Sequence, residues 1–186
     1  MNDLSPGFAT AADAQTCFRA VLDAFATPGT LVSLPPTLTP PPGLSLACAS
    51  LLLTLADTQT KIALPEGETA RNWLTFHTGA PLTDATNADF CVATTRPSLS
   101  SLRQGTDEAP EAGATLILEV PTLAGPLFHL SGPGLKEPVH VALPLDRTFV
   151  AEWQAQTHNA PRGVDVILCA ENNLLALPRS LQIKDA

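Results

Sequence analysis

Hydrophobic residues recur at helical spacing in the first part of the chain. In residues 13–29, Phe18, Val21, Leu22 and Phe25 fall on one stripe, which predicts an amphipathic helix with that stripe as its apolar face. Pro28 and Gly29, at the end of this segment, stop the helix, because proline cannot continue it and glycine suits the turn. Residues 45–57 are apolar on nearly all sides, which predicts a second, buried helix.

Three more segments have helical patterns, at residues 68–79, 97–105 and 146–159. Runs rich in β-branched and aromatic residues predict strands between and after the helices. These strands are expected at residues 30–34, 61–65, 89–95, 114–120, 126–132, 163–170, 174–180 and 181–185.

The order of the predicted elements indicates the fold class. Helices alternate with strands early, and strands follow one another late. Residues 114–120 and 126–132 are expected to pair as a hairpin, and residues 163–170 and 174–180 as another, with Glu171-Asn172-Asn173 as its turn. The pattern predicts a single α/β domain over residues 1–186, a layered mixed β-sheet flanked by helices.

Composition excludes several classes of function. The chain is 45% hydrophobic and only 15% charged, with a net charge of −8, no Tyr and two Trp. An acidic chain with few aromatics argues against nucleic-acid binding and against an anionic membrane surface. No secretory signal or membrane-spanning run is evident, and the cysteines form no CxxC motif, so we expect a cytoplasmic protein with reduced thiols. The few charges leave apolar surface for a partner protein.

The histidines give little support for a metal. His77 ends the helix predicted at residues 68–79, where its charge would interact well with the helix dipole, or it could act as a catalytic base. His129, His140 and His158 lack any spacing typical of metal ligands. The sequence therefore predicts no metal site.

Six charged residues sit within or beside apolar segments, where a charge needs a partner. They are Asp13, Arg19, Asp57, Glu111, Asp165 and Arg179. One interpretation is a set of helix caps and ion pairs. The other is an anion- or partner-binding site on Arg19 or Arg179, with Glu111, Asp165 and His77 as catalytic candidates.

Two segments have features of cofactor sites. Residues 130–138 are rich in glycine, but they fit a tight turn better than a phosphate-binding loop. Lys61 begins a predicted strand and could form a Schiff base with pyridoxal phosphate, yet no phosphate cup or pyridine partner can be assigned around it. We therefore expect no bound cofactor.

Several segments together resemble a known family. They are DAQTCFRAVLDAFATPG, LLLTLADTQT, FHTGAPL, PEAGATLILEV, LSGPGL, GVDVIL and ALPRS. In this order, from Asp13 to Arg179, the chain resembles the PhnH subunit family of the carbon–phosphorus lyase machinery. One departure is Ala160, where an aromatic residue often precedes the proline in this family.

The resemblance implies a fold, an assembly and an activity. It implies a small version of the fold of pyridoxal-phosphate-dependent transferases that lacks the cofactor. It also implies a homodimer when isolated and a complex with PhnG, PhnI and PhnJ. The complex subunits support transfer of an alkylphosphonate to the ribose C1′ of ATP, with release of adenine.

Three hypotheses about function follow. The first is a complex subunit without complete activity of its own. The second is a stand-alone binding module for a small anion, and the third is an independent pyridoxal-phosphate enzyme. Within the segment PEAGATL, we expect Glu111 to order the loop before the strand by accepting N–H groups or pairing with an arginine, while Pro110 and Gly113 set the turn.

Overall fold

The computed structural model describes residues 4–186. Four α-helices and nine strands follow one another in chain order. They are α1 (Ala11–Ala26), β1 (Val32–Ser33), α2 (Leu46–Leu55), β2 (Ile62–Ala63), α3 (Glu68–Thr78), β3 (Phe90–Ala93), β4 (Thr115–Glu119), β5 (Leu127–Ser131), β6 (Val139–Ala142), α4 (Arg147–Thr157), β7 (Asp165–Ala170), β8 (Asn173–Leu177) and β9 (Gln182–Asp185). The α/β class with a mixed sheet is confirmed.

Six strands form the central sheet, in the order β1-β8-β7-β4-β3-β2. β2, β3, β4 and β7 run parallel, while β8 and β1 run antiparallel to their neighbours. The predicted hairpin of β7 and β8 is confirmed, and its turn is one residue shorter than predicted, Glu171 and Asn172, because Asn173 already pairs with Ala170. The segment around Leu82 adds a parallel bridge to Ile62 on the outer side of β2.

Three helices cover one face of this sheet. The helix α2 is buried from Ala47 to Leu52, as its uniform apolar character predicts. The helices α1 and α3 pack against it, and together they enclose a core that contains Trp73 and the sheet residues Ile117 and Ile167.

The buried face of α1 differs from the predicted stripe. Cys17, Val21 and Ala24 face the core, whereas Phe18 is 45% and Leu22 is 51% exposed. Small side chains such as those of Cys17 and Ala24 allow α1 to pack closely on α2, because helix surfaces interlock at the density of a crystal. The bulkier residues lie on the neighbouring face and remain in contact with solvent.

The other face of the sheet carries α4 and a second, three-stranded antiparallel sheet in the order β6-β5-β9. These elements enclose a separate core around Phe149 and Trp153. The predicted hairpin of β4 and β5 is wrong, because β4 pairs with β3 and β7 while β5 pairs with β6 and β9. Burial of β4 on both faces suits a central parallel strand.

Local hydrogen bonds show a helix cap at Asp13 and a turn at Asp57. The side chains of Thr10 and Asp13 form a capping box at the start of α1. The hydroxyl group of Thr60 and the main-chain N–H of Gln59 donate to Asp57, which lowers the pKa of that carboxyl.

The helix predicted at residues 97–105 is only a short 3-10 turn at Leu99–Ser101. Within residues 4–186 no helix is long and apolar enough to cross a membrane.

Candidate functional site

The fold brings three of the sequence-predicted site residues to one place. Asp165 begins β7, Arg179 follows β8, and Glu111 lies in a 3-10 turn at Pro110–Ala112. The side chain of Arg179 donates to the Asp165 carboxylate from Nε at 3.1 Å and from Nη2, and the Arg179 main-chain N–H donates to the same group at 2.7 Å. Both side chains are only 18% exposed, so the pair is largely shielded from water.

The same arginine also holds the loop before β4. Its Nη1 donates to the carbonyl oxygen of Pro110 at 2.6 Å. Gly113 lies against this contact, because a Cβ there would be 2.4 Å from the carbonyl oxygen of Gly163 and 2.5 Å from Nη1 of Arg179. Only glycine allows the two main chains to approach this closely.

The Glu111 side chain itself is exposed. Among residues 4–186 its carboxylate takes part in no hydrogen bond or ion pair, and Arg179 binds the carbonyl of Pro110 in its place. The loop is therefore held by main-chain contacts of its proline and glycine. A catalytic role for Glu111 or Asp165 stays a prediction.

The remaining candidates lie apart from this cluster. Arg19 is exposed on α1. His77 is half-buried at the end of α3, where its Nε2 lies 3.1 Å from the carbonyl oxygen of Ser5. Trp73 also donates to that oxygen, at 2.7 Å, and its ring contacts the His77 ring edge-on. His77 thus helps to fix the N-terminal segment on α3, and its catalytic candidacy stays a prediction.

Three cysteines and one carboxylate meet in the core around the start of α2. Glu119, at the end of β4, accepts the main-chain N–H of Ser45 at 2.8 Å, at the N-terminus of α2. Burial, with smaller contributions from Cys169 and Glu119, raises the pKa of Cys48 well above that of a free thiol. Burial does the same for Cys169, reinforced by Glu119 and Cys17. Burial therefore disfavours the thiolate form of both groups.

No metal-binding cluster is found in the part of the chain that the structure describes, where no group of three His, Cys, Asp or Glu could hold an ion. His129 and His140 face each other across β5 and β6 with ring centroids 5.4 Å apart. Lys61 lies exposed just before β2, and its main-chain N–H donates to Asp89 at 2.7 Å.

Two surface cavities are candidates for binding. One, of about 490 Å³, lies beside the β7–β8 turn and is lined by Leu31 and Glu171 among others. The other, of about 360 Å³, opens where β2 and β3 end, and it contains Arg71. Sequence analysis missed Arg71. The signal was available, since this arginine lies in the first turns of the helix after a parallel strand.

Comparison with known proteins identifies the family. The family model described as "Bacterial phosphonate metabolism protein (PhnH)" matches residues 6–184. The chain belongs to the PhnH family. It is 35% identical over 182 residues to the alpha-D-ribose 1-methylphosphonate 5-triphosphate synthase subunit PhnH of Rhizobium meliloti (strain 1021), covering 92% of this chain and 90% of that protein.

A second relative has a different name. The putative C-P lyase subunit protein HtxG of Stutzerimonas stutzeri is 31% identical over 175 residues, which cover 91% of this chain and 85% of the relative. Both matches extend over nearly the whole chain, so they include the segments that form both cores and both sheets here.

Proposed function

We propose that this chain is a subunit of a multi-subunit assembly in phosphonate metabolism, and that the assembly transfers an alkylphosphonate to the ribose C1′ of ATP and releases adenine. The observation that carries the proposal is the 35% identity, over almost the full length of both chains, to a protein named as a subunit of a ribose 1-methylphosphonate 5-triphosphate synthase. The name of the second relative also describes a subunit.

The surface is in keeping with a subunit role. Large apolar side chains are exposed on several elements, including Phe18 and Leu22 on α1 and Phe76, which is 70% exposed, on α3. Exposed apolar groups of this size are typical of surfaces that partner proteins cover. The net charge of −8 also makes the chain poorly suited to hold a triphosphate without help from other subunits.

The finer parts of the proposal rest on the family resemblance. The partners are PhnG, PhnI and PhnJ subunits, the isolated chain is a cytoplasmic homodimer, and the fold corresponds to a pyridoxal-phosphate-dependent transferase without its cofactor. In this proposal the chain has no complete activity alone and contributes to a transferase formed with its partners.

Co-expression tests the assembly directly. The chain is produced with PhnG, PhnI and PhnJ subunits from the same source, and the mixture is analysed by size-exclusion chromatography with light scattering. Elution of all four in one species, together with adenine release from ATP and methylphosphonate when PhnL is added, is the expected result. A chain that elutes apart from all three partners, and whose omission leaves adenine release unchanged, would overturn the proposal.

A further inference from the structure

The crevice between the ends of β2 and β3 lies where the chain changes the direction in which it adds segments to the sheet. After β2 the chain passes through α3, on the face of the first core, to the segment around Leu82 outside β2. After β3 it passes over the opposite face, where Leu99 and Leu102 join the second core, and reaches β4 on the other side. The two connections therefore leave the sheet on opposite faces and in opposite directions.

Such a point leaves an opening that neighbouring loops cannot fill. In open parallel sheets, ligands bind in the crevice outside the carboxyl ends of the strands at this kind of switch point. The cavity of about 360 Å³ lies there, between Leu64 after β2 and Thr94 after β3. Its volume falls at the lower end of the range for sites that bind small molecules.

Arg71 supplies a cation to this crevice. Its Nη2 donates to the carbonyl oxygen of Leu64 at 3.3 Å, which fixes the guanidinium beside the end of β2. A guanidinium has five N–H donors, so this single bond leaves about four for a ligand. Within residues 4–186 Arg71 forms no ion pair, unlike Arg179, which is engaged by Asp165.

Hydroxyl groups and an apolar wall complete the lining. Thr83, Thr94 and Thr95 also line the crevice, and within residues 4–186 the hydroxyl groups of these threonines form no hydrogen bond. Ala63 and Val92 contribute apolar surface from the strand ends. A guanidinium with several hydroxyls binds a tetrahedral oxyanion, and the apolar wall suits a short organic group attached to it.

We propose that this crevice binds a small organophosphonate, with its oxyanion on Arg71 and the threonine hydroxyls and its organic group against the strand ends. The anion site follows from the geometry, whereas the choice of phosphonate rests on the proposed function. Asp84 lies on the same lining. Its carboxylate disfavours a second negative charge and favours a ligand whose organic group carries an ammonium.

Titration calorimetry on the purified full-length chain, and on the assembly if it forms, tests this site with three probes: 2-aminoethylphosphonate, methylphosphonate and inorganic phosphate. We expect the ammonium-bearing probe to bind best. Arg71→Gln should weaken binding about tenfold or more, because it removes a charged hydrogen-bond donor. Arg147→Gln is the matched control, since Arg147 is also an exposed helix arginine but lies on α4, outside the lining of this crevice, and it should leave affinity unchanged.

A second variant separates binding from folding. Thr94→Val keeps the shape of an exposed side chain, should leave the thermal midpoint unchanged, and should weaken phosphonate binding by a smaller factor than Arg71→Gln.

The site is refuted if neither the isolated chain nor the assembly binds any of the three probes, or if the Arg71→Gln variant binds them as the wild type does. Co-elution of the Arg71→Gln chain with its partners is scored separately. Loss of binding with intact co-elution supports the crevice, whereas a wild-type chain that ignores its partners contradicts only the proposed function.

Discussion

Arg179 binds Asp165 through three of its nitrogen atoms, one in the main chain and two in the side chain. Asp165 is the first residue of β7 and Arg179 follows β8 by two residues, so the pair closes the open end of this hairpin. Through its bond to the carbonyl of Pro110, the same guanidinium connects the hairpin to the loop before β4. Three segments distant in sequence thus depend on one side chain.

Removal of this guanidinium should destabilise the fold. Arg179→Ala removes both side-chain donors to the shielded Asp165 carboxylate and the donor to the Pro110 carbonyl, and leaves only the main-chain N–H of residue 179 on Asp165. We expect the free energy of unfolding to fall by about 2–3 kcal/mol. Urea denaturation followed by circular dichroism measures this. Arg19→Ala, an exposed arginine on α1, should change the same quantity by less than about 0.5 kcal/mol. Equal effects of the two variants would contradict a structural role for Arg179.

Mutations of Glu111 and Gly113 should differ in their effect on stability, although the two residues lie close together at one turn. Glu111→Gln alters an exposed carboxylate and should change the free energy of unfolding by less than about 0.5 kcal/mol. Gly113→Ala places a Cβ 2.4 Å from the Gly163 carbonyl oxygen and should cost about 1–3 kcal/mol or more. Both values come from urea denaturation. If Glu111→Gln is stable and assembles normally but abolishes adenine release, Glu111 acts in the chemistry.

Ser50, within α2, and Ser45, which caps its N-terminus, offer a matched pair. The hydroxyl of Ser50 is buried and has no hydrogen-bond partner among the described residues. Ser50→Ala should therefore leave stability unchanged or raise it by about 1 kcal/mol. The hydroxyl of Ser45 accepts the main-chain N–H of Cys48 at 3.1 Å at the N-terminus of the helix. Ser45→Ala should lower stability by about 1 kcal/mol, and a comparison of thermal midpoints checks the difference in sign.

The buried thiols predict a dependence on alkaline pH. Folding raises the pKa of Cys48 and of Cys169, in each case mainly through burial. The unfolded chain therefore loses these protons first, and the free energy of unfolding should fall as the pH rises above about 8.5. Denaturation curves between pH 7 and about pH 10 measure the slope, and Cys169→Ala should reduce it. A slope that this variant does not alter would contradict the assignment.

Local sequence patterns predicted single helices and turns better than they predicted which strands pair with each other. The uniform apolar character of residues 45–57 and the hairpin of β7 and β8 are local features, and both predictions are confirmed. The partners of β4 are set by contacts between distant segments, which no local pattern encodes, so the expected pairing with β5 was wrong.

The same limit applies to the candidate sites. A charged residue in an apolar setting indicates that it needs a partner, and Asp165 and Arg179 do form an ion pair, whereas Arg19 and Glu111 are exposed. The functional roles predicted for all four stay predictions. This reasoning does not reveal Arg71, which is exposed on α3; the sequence signal for Arg71 is instead its place in the first turn of the helix after a parallel strand. That Arg71 lies near the end of β3 becomes evident only when the paths of the connections after β2 and after β3 are known.

The two faces of the sheet each enclose one tryptophan, Trp73 in one core and Trp153 in the other. The chain has no tyrosine and no third tryptophan, so its near-ultraviolet fluorescence excited at long wavelength comes from these two indoles alone. Trp73→Phe and Trp153→Phe would give two single-emitter proteins, each reporting solvent entry on one side of the sheet. Coincident emission shifts during denaturation would show that both layers melt as one cooperative unit, and separate shifts would rank their local stabilities.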